Sequence, residues 1–259
     1  MYMANKIKFT FVEDKIHEFI DRLDELTKID DTIKLKIDSE NILMYSILGG
    51  NVMLAFKNYL LNTQDIFKSN GLDFTLDVII PNAKKFVKNL NFLTQSEKVT
   101  IELSYKESSD DDEVMIARSI QVVGGKLKVN WLAGEHYQLR DINKTSLKSN
   151  LNIKNSKWSF KISQNDFSDV KKLSSINSDK IINIVVDNGK VTLSERAAWE
   201  LEIDTIEDDR NTSLILNKRF LSCINDKDDV IFHIFDNFML VKDDNSNLML
   251  SFEQSFDED

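Results

Sequence analysis

FTFVEDKIHEFIDRLDELTKIDDTIKLKIDSENILMYSI (Phe9–Ile47) and FKISQNDFSDVKKLSSINSDKIINIVVDNGKVTLSE (Phe160–Glu195) follow one plan. In each, a short alternating strand runs into an amphipathic helix and then into further strands. In the first, Ile16, Phe19, Ile20, Leu23 and Leu26 recur with the 3.6-residue period of a helix that buries one stripe. In the second, Phe167, Val170, Leu173 and Ile176 do the same. Two further copies start near Phe74 and Thr212, so the plan occurs four times, beginning near Lys6, Phe74, Trp158 and Thr212. Internal repetition is settled before anything else, because a missed repeat misreads the whole fold. Here it points to helices on one side and sheets on the other, a binding surface rather than a catalytic pocket.

Working outward, the spacing predicts helices over Glu13–Lys28, Asn82–Leu93, Gln164–Ile176 and Asn217–Ile224. Asn82 stands where an N-cap belongs. Strands are expected at Lys6–Phe11, Thr32–Asp38, Asn41–Leu48, Val52–Lys57, Phe74–Ile80, Val99–Tyr105, Val114–Val123 and Lys126–Leu132. In the second half they are expected at Trp158–Ile162, Ile181–Val186, Lys190–Ser194, Ala198–Ile206, Ser213–Leu216, Val230–Phe235, Phe238–Lys242 and Leu248–Phe252. Gly49-Gly50, Gly124-Gly125 and Asp187-Asn188-Gly189 read as turns. Asn58–Gly71 reads only as connecting structure, and Ser255–Asp259 as a frayed acidic tail. Residues 135–157 are rich in Asn, Ser and Lys without a sustained period, the character of a linker. The expected organisation is a domain at 1–134, a linker at 135–157 and a domain at 158–259. The fold class is α+β, with two similar domains of two β-α-β-β-β units each.

Composition narrows the function. The 259 residues include 42% apolar and 29% charged positions and a single proline, which suits an ordered, soluble chain. No stretch approaches the roughly 20 apolar residues that span a bilayer, and the start lacks a signal-peptide layout. Cys223 is the only cysteine, so no intrachain disulfide can form, and a reducing cytoplasm is the expected compartment. His17, His136 and His233 lack metal-ligand spacing, and Asp110–Asp112 lacks the alternation and glycine of a calcium loop. With no phosphate loop and no nucleophile elbow, no enzyme, cofactor or metal is expected.

The net charge of −10 is unevenly spread. Asn82–Leu93 carries Lys84, Lys85 and Lys88 and no carboxylate; Asn217–Ile224 carries Lys218 and Arg219. Gln164–Ile176 balances Lys171 and Lys172 against two acids, and Glu13–Lys28 sets Lys15, Arg22 and Lys28 against six. On any one helix such cations are ordinarily a solvated face. Repeated on one side of one architecture, they suggest phosphate contact within an acidic shell, indifferent to sequence. No aromatic residue interleaves with these lysines in the linear sequence, so base stacking is not expected.

FKISQNDFSDVKKLSSI, INIVVDNGKVTLSE, SLILNKRFLSCI and FMLVKDDNSNLMLSFE, with KLKIDSENILMYSI in the first half, resemble the sliding clamps of DNA replication. The likeness is to the two-domain type found in proliferating cell nuclear antigen and in tailed phages. It implies a non-enzymatic ring, with antiparallel sheets outside and helices lining the inside, around duplex DNA without sequence specificity. Two domains per chain imply a homotrimer. The implied partners are a DNA polymerase and an ATP-dependent clamp loader, in the host cytoplasm if the chain is of phage origin.

The implied inner surface is Lys15, Arg22, Lys84, Lys85, Lys88, Lys171, Lys172, Lys218 and Arg219. Lys15 and Arg22 contribute least, because Asp14, Glu18, Asp21 and Glu25 occupy the outward face of their helix. The implied partner-peptide pocket is Ile37, Asn41, Ile42, Met44, Leu147, Phe238 and Phe252. The implied subunit interface joins Lys126, Lys128, Val129 and Trp131 to Trp199, Leu201 and Ile203. Two other readings stay open: a monomeric, non-ring processivity or DNA-binding module of the same fold, and a hydrolase or transferase.

Overall fold

The computed structural model describes residues 5–49, 54–68, 72–96, 98–108, 113–135, 138–142, 147, 151–196, 198–207, 211–242 and 245–255. Gly50, the run at 109–112, His136, much of the linker at 143–150 and the tail at 256–259 lie outside them. The chain forms two compact units, one of residues 1–47 with 57–142 and the other of residues 48–56 with 143–259.

The first unit begins with strand β1 (Asn5–Phe11), helix α1 (Lys15–Thr27), β2 (Thr32–Ile37), β3 (Asn41–Leu48) and β4 (Ala55–Asn62). A single helical turn, α2 (Thr63–Ile66), leads to β5 (Phe67–Lys68). Then come β6 (Thr75–Pro81), α3 (Ala83–Leu93), β7 (Val99–Glu107), β8 (Val114–Gly124) and β9 (Leu127–Leu132). The strands order as β4-β3-β2-β6-β8-β7-β1-β5, with β9 added beside β8. β6 and β8 run parallel over Thr75–Asp77 and Val114–Ile116; β9 continues along the rest of β8.

The two long helices lie side by side on this sheet. α1 buries Ile16, Phe19, Ile20, Leu23 and Leu26, and α3 buries Ala83, Phe86, Val87, Leu90 and Leu93. Both stripes are those the 3.6-residue period predicts. Phe9, Phe11, Phe19 and Phe67 form an aromatic cluster beneath α1, with Phe11 and Phe19 edge to face at 5.4 Å. Each large side chain so buried contributes about 1.5–3 kcal/mol.

The stretch read as connecting structure is the second half of β4, then α2 and β5. The expected strand Val52–Lys57 lies further along, at Ala55–Asn62. Lys57 and Asn58 hid it: both are buried within the strand, where polar residues are rare. Lys57 is tolerated because its ammonium meets the Glu25 carboxylate at 2.7 Å. A second buried cation, Lys34, lies between Asp77 and Asp141, each at 2.7 Å. Lys36 reaches Asp141 as well, at 2.9 Å. The Tyr45 hydroxyl donates to the Arg140 carbonyl and accepts from Ile142 N–H. Residues 140–142 are thereby fastened to β2 and β3.

The second unit has β10 (Trp158–Ile162), α4 (Gln164–Ile176), β11 (Ile181–Asp187), β12 (Lys190–Glu195) and β13 (Trp199–Thr205). It continues with β14 (Thr212–Asn217), a 3-10 turn (Lys218–Cys223), β15 (Val230–Ile234), β16 (Phe238–Lys242), β17 (Ser246–Ser251) and β18 (Glu253–Ser255). β10-β15-β16-β17 and β13-β12-β11-β14-β18 are its two strand series. Ser163 caps α4, its hydroxyl accepting from Asp166 N–H. Asn188 and Gly189, at φ 48° and 79°, make the tight turn that Asp187-Asn188-Gly189 predicts.

Three expectations need correction in this unit. The fourth helix is a six-residue 3-10 turn, capped by the Asn217 side chain on Arg219 N–H but too short for an α-helical stripe. Ile176 is 79% exposed rather than inward; Ser174 takes the buried place in the last turn of α4. Ser255, assigned to a frayed tail, pairs with Ser213 in a β14–β18 ladder. The architecture is nonetheless the α+β pattern expected, mostly antiparallel sheet with few helices.

Candidate nucleic-acid interface

α3 starts by an unexpected device. Asn82 occupies the N-cap position but adopts a left-handed φ of 51° and makes no side-chain capping bond. Asp31, from the turn after α1, takes over: its backbone carbonyl accepts from Ala83 N–H at 2.9 Å and its carboxylate from Lys84 N–H at 2.7 Å. An anion there also complements the helix dipole. With the apolar stripe facing the sheet, Lys84, Lys85 and Lys88 are left exposed. Among the described residues none of the three meets a carboxylate.

The other six cations of the expected inner surface are held by neighbours. Lys15 pairs with Glu18 at 2.7 Å. Arg22 lies over the Tyr59 ring at 4.9 Å and beside Glu25 at 3.7 Å. Lys171 pairs with Asp226 at 2.9 Å and donates to the Ile224 carbonyl. Lys172 pairs with Asp169 at 3.0 Å, both well exposed, a bond of little energetic weight. Arg219 lies over Phe220 at 5.4 Å. Lys218 departs from the expectation: it is mostly buried, donating to Glu195 at 2.9 Å and to the Asn177 carbonyl at 2.7 Å. Glu195 is wholly buried, so Lys218 neutralises a core carboxylate and is not a surface contact.

The acids of α1 are likewise less free than their number suggests. Burial would raise the Glu25 carboxyl, but the Lys57 ammonium and the Tyr59 hydroxyl hold it below its ordinary value. Burial and the Glu25 charge together push the Tyr59 hydroxyl up.

The residues expected to receive a partner peptide divide by unit. Ile37, Ile42 and Met44 are core of the first unit, at 2%, 0% and 0% exposure, and offer no surface for a peptide. The alternation of β2 and β3 that suggested a wall instead points these side chains inward. Asn41 closes the turn before β3, its N–H donating to Asp38. In the second unit Phe238 is half-buried and stacked on Phe235 at 4.5 Å, and Phe252 is half-buried. Leu147 is half-buried, and its carbonyl accepts from Leu151 N–H.

Two edge strands carry the expected interface. Among the described residues β9 pairs only with β8, and β13 only with β12. On β9, Val129 and Trp131 turn partly inward; Trp131 packs on Phe86 at 5.5 Å and donates to the Pro81 carbonyl. Lys126, Lys128 and Leu132 are exposed. On β13, Trp199, Leu201 and Ile203 are half-buried, Trp199 donating to Glu195, while Glu200 and Glu202 are exposed. One edge is therefore basic and the other acidic.

Elsewhere in the first unit an open cleft of about 630 Å³ is lined by Glu13, Asp14, His17, Lys68, Thr94, Ser96 and Lys98 among others. No hydrogen bond joins His17 to a hydroxyl or carboxylate there. Among the described residues no three His, Cys, Asp or Glu side chains converge as metal ligands, and no helix is long and apolar enough to cross a membrane. Cys223 is buried. Burial and the nearby Lys242 hold His233 below its ordinary pKa.

One exposed residue escaped the sequence reading. Phe92 is 71% exposed in the last turn of α3, on the stripe of Lys85 and Lys88. A helical wheel finds it; a linear scan does not.

No protein-family model and no curated protein matches the chain. Solved structures do. PCNA of Thermococcus kodakaraensis is similar at a TM-score of 0.61 and 14% identity, over 96% of this chain and 100% of that one. The DNA polymerase III subunit beta of Borrelia burgdorferi is similar at 0.65 and 12%, over 99% of this chain and 67% of that one. A Helicobacter pylori beta clamp bound to a DNA ligase peptide is similar at 0.64 and 14%, over 98% and 68%. The chain spans 66% of the length of the Streptococcus pneumoniae DNA polymerase III beta chain, at a TM-score of 0.63 and 13% identity. The chain thus has the fold of the DNA sliding clamps, PCNA and the bacterial beta subunits.

Proposed function

We propose that this chain is a DNA sliding clamp, a ring of three copies that encircles duplex DNA and holds a polymerase on it. The observation that carries the reading is α3, whose three exposed lysines have no carboxylate partner on a chain of net charge −10. Cations so placed serve phosphates of any sequence. They also let the duplex slide, because each contact is weak and wet. The ring closes when β9 of one copy adds to β13 of the next, basic edge on acidic edge, which removes two exposed strand edges at once. The chain has no catalytic role; its effect is topological, a tether that keeps a polymerase near its primer. An ATP-dependent loader opens and closes the ring, in the cytoplasm of the cell that replicates the DNA. Phe238 and Phe252 are the residues of the second unit to receive a polymerase peptide.

The test is K84A/K85A/K88A. The slope of log affinity for a blunt duplex against log salt falls by about three in magnitude, close to one per lost phosphate contact. Loading and stimulation of a cognate polymerase fall with it, while the native mass is unchanged. Wild-type duplex binding and wild-type stimulation in this variant would overturn the inner-surface assignment.

A further inference from the structure

Phe92 is unlike the other exposed apolar side chains. Leu127 and Leu132 lie on an edge strand and Ile176 at a helix end. Phe92 lies within α3, beside lysines that no carboxylate offsets. Spacing of i, i+3 and i+7 puts Lys85, Lys88 and Phe92 on one outward stripe, opposite Phe86, Leu90 and Leu93. A ring of this size is ordinarily buried, and holding it in water forgoes about 1.5–3 kcal/mol. Nothing in the first unit's core requires it, since the five inward positions of α3 are already filled.

Its neighbours specify a ligand. Two ammonium groups favour phosphates, and a free phenyl face favours another planar ring. A closed duplex offers phosphates but hides its base faces; an unpaired nucleotide offers both. Lys88 and Phe92 are separated along the axis by about 6 Å, four residues at 1.5 Å each, a span one nucleotide covers from phosphate to base. An acidic protein surface would satisfy the lysines and leave the ring without a partner.

We infer that Phe92, with Lys85 and Lys88, is a contact for single-stranded DNA, the ring stacking on an unpaired base while the ammonium groups hold adjacent phosphates. This rests on the reading of α3 as a DNA-facing helix and goes beyond it, because passage of a duplex needs no aromatic ring. It gives the chain a means to hold the unpaired strand that adjoins a primer end.

The experiment measures binding of the full chain to a fluorescein-labelled twelve-nucleotide oligothymidylate and to a blunt duplex of equal length. F92A and F92L lose about 5- to 150-fold in affinity for the oligothymidylate, the range of one base–aromatic stack, and bind the duplex as wild type does. F92W keeps the affinity, and its indole fluorescence is quenched on binding. Because Phe92 is exposed, all three melt as wild type. Wild-type oligothymidylate binding by F92A would overturn the stacking contact, as would full affinity in F92L, which indicates apolar contact alone. A loss in F92A equal on duplex and single strand would overturn it too. K84A/K85A/K88A keeps the two readings apart: its loss of duplex binding supports the α3 interface whatever F92A does.

Discussion

The carboxylate of Asp31 accepts a hydrogen bond at 2.7 Å from the backbone N–H of Lys84, the first lysine of the basic helix. A negative group thus starts α3 from the far side of β2, through a turn that the sequence places after α1. D31A leaves that N–H without its partner and costs about 1 kcal/mol of unfolding free energy, the usual worth of a cap. N82G costs nothing measurable, because Asn82 makes no capping bond and glycine accepts a left-handed φ readily. Urea unfolding of the two variants checks the assignment.

Lys34 is fully buried between Asp77 and Asp141, and Asp77 is nearly so. K34M leaves Asp77 charged and buried without its cation. The expected cost is about 3–5 kcal/mol. K34M/D77L, which removes both charges, recovers most of that loss in the same urea titration.

Acid should weaken the first unit through Glu25 and Asp141. Burial raises each carboxyl, but Lys57 and Tyr59 outweigh it at Glu25, and Lys34 and Lys36 at Asp141, so both titrate below their ordinary values of 4.5 and 3.8. The unfolded chain then binds protons more readily than the folded one. Their stabilisation is complete above the ordinary values and is lost as pH falls through the depressed ones. The urea midpoint is expected to be level from neutral pH to about 5 and to drop below about 4. K57M flattens that drop.

The edge strands admit a charge-swap test. K126E/K128E on β9 repels Glu200 and Glu202 on β13 of the next copy, and sedimentation velocity shows smaller particles. Adding E200K/E202K to the same chain restores the full assembly. Failure of the second pair to rescue the first would mean that these edges do not meet.

Much of this was readable from residues alone. α1, α3 and α4 announce themselves by period, and the repeat located both units' strands. Other features depend on partners far away in sequence. β4 was hidden because Lys57 is acceptable in a buried strand only once Glu25 of α1 faces it. The lysine at 218 looked like surface charge because its partner, Glu195, is on another strand. The cap of α3 is Asp31 rather than Asn82 for the same reason. Ile37, Ile42 and Met44 followed a family likeness to a pocket, whereas strand alternation turns them into the core. Phe92 was available to sequence reasoning but lies next to Lys88 only on the helical surface.

The mass of the native particle tests the central claim most directly. With a chain of 30.0 kDa, sedimentation equilibrium at micromolar concentration is expected to give about 90 kDa, a closed ring of three with its strand edges paired. A single species at the mass of one chain, unchanged as concentration rises, would contradict the ring and leave a monomeric module of the same fold.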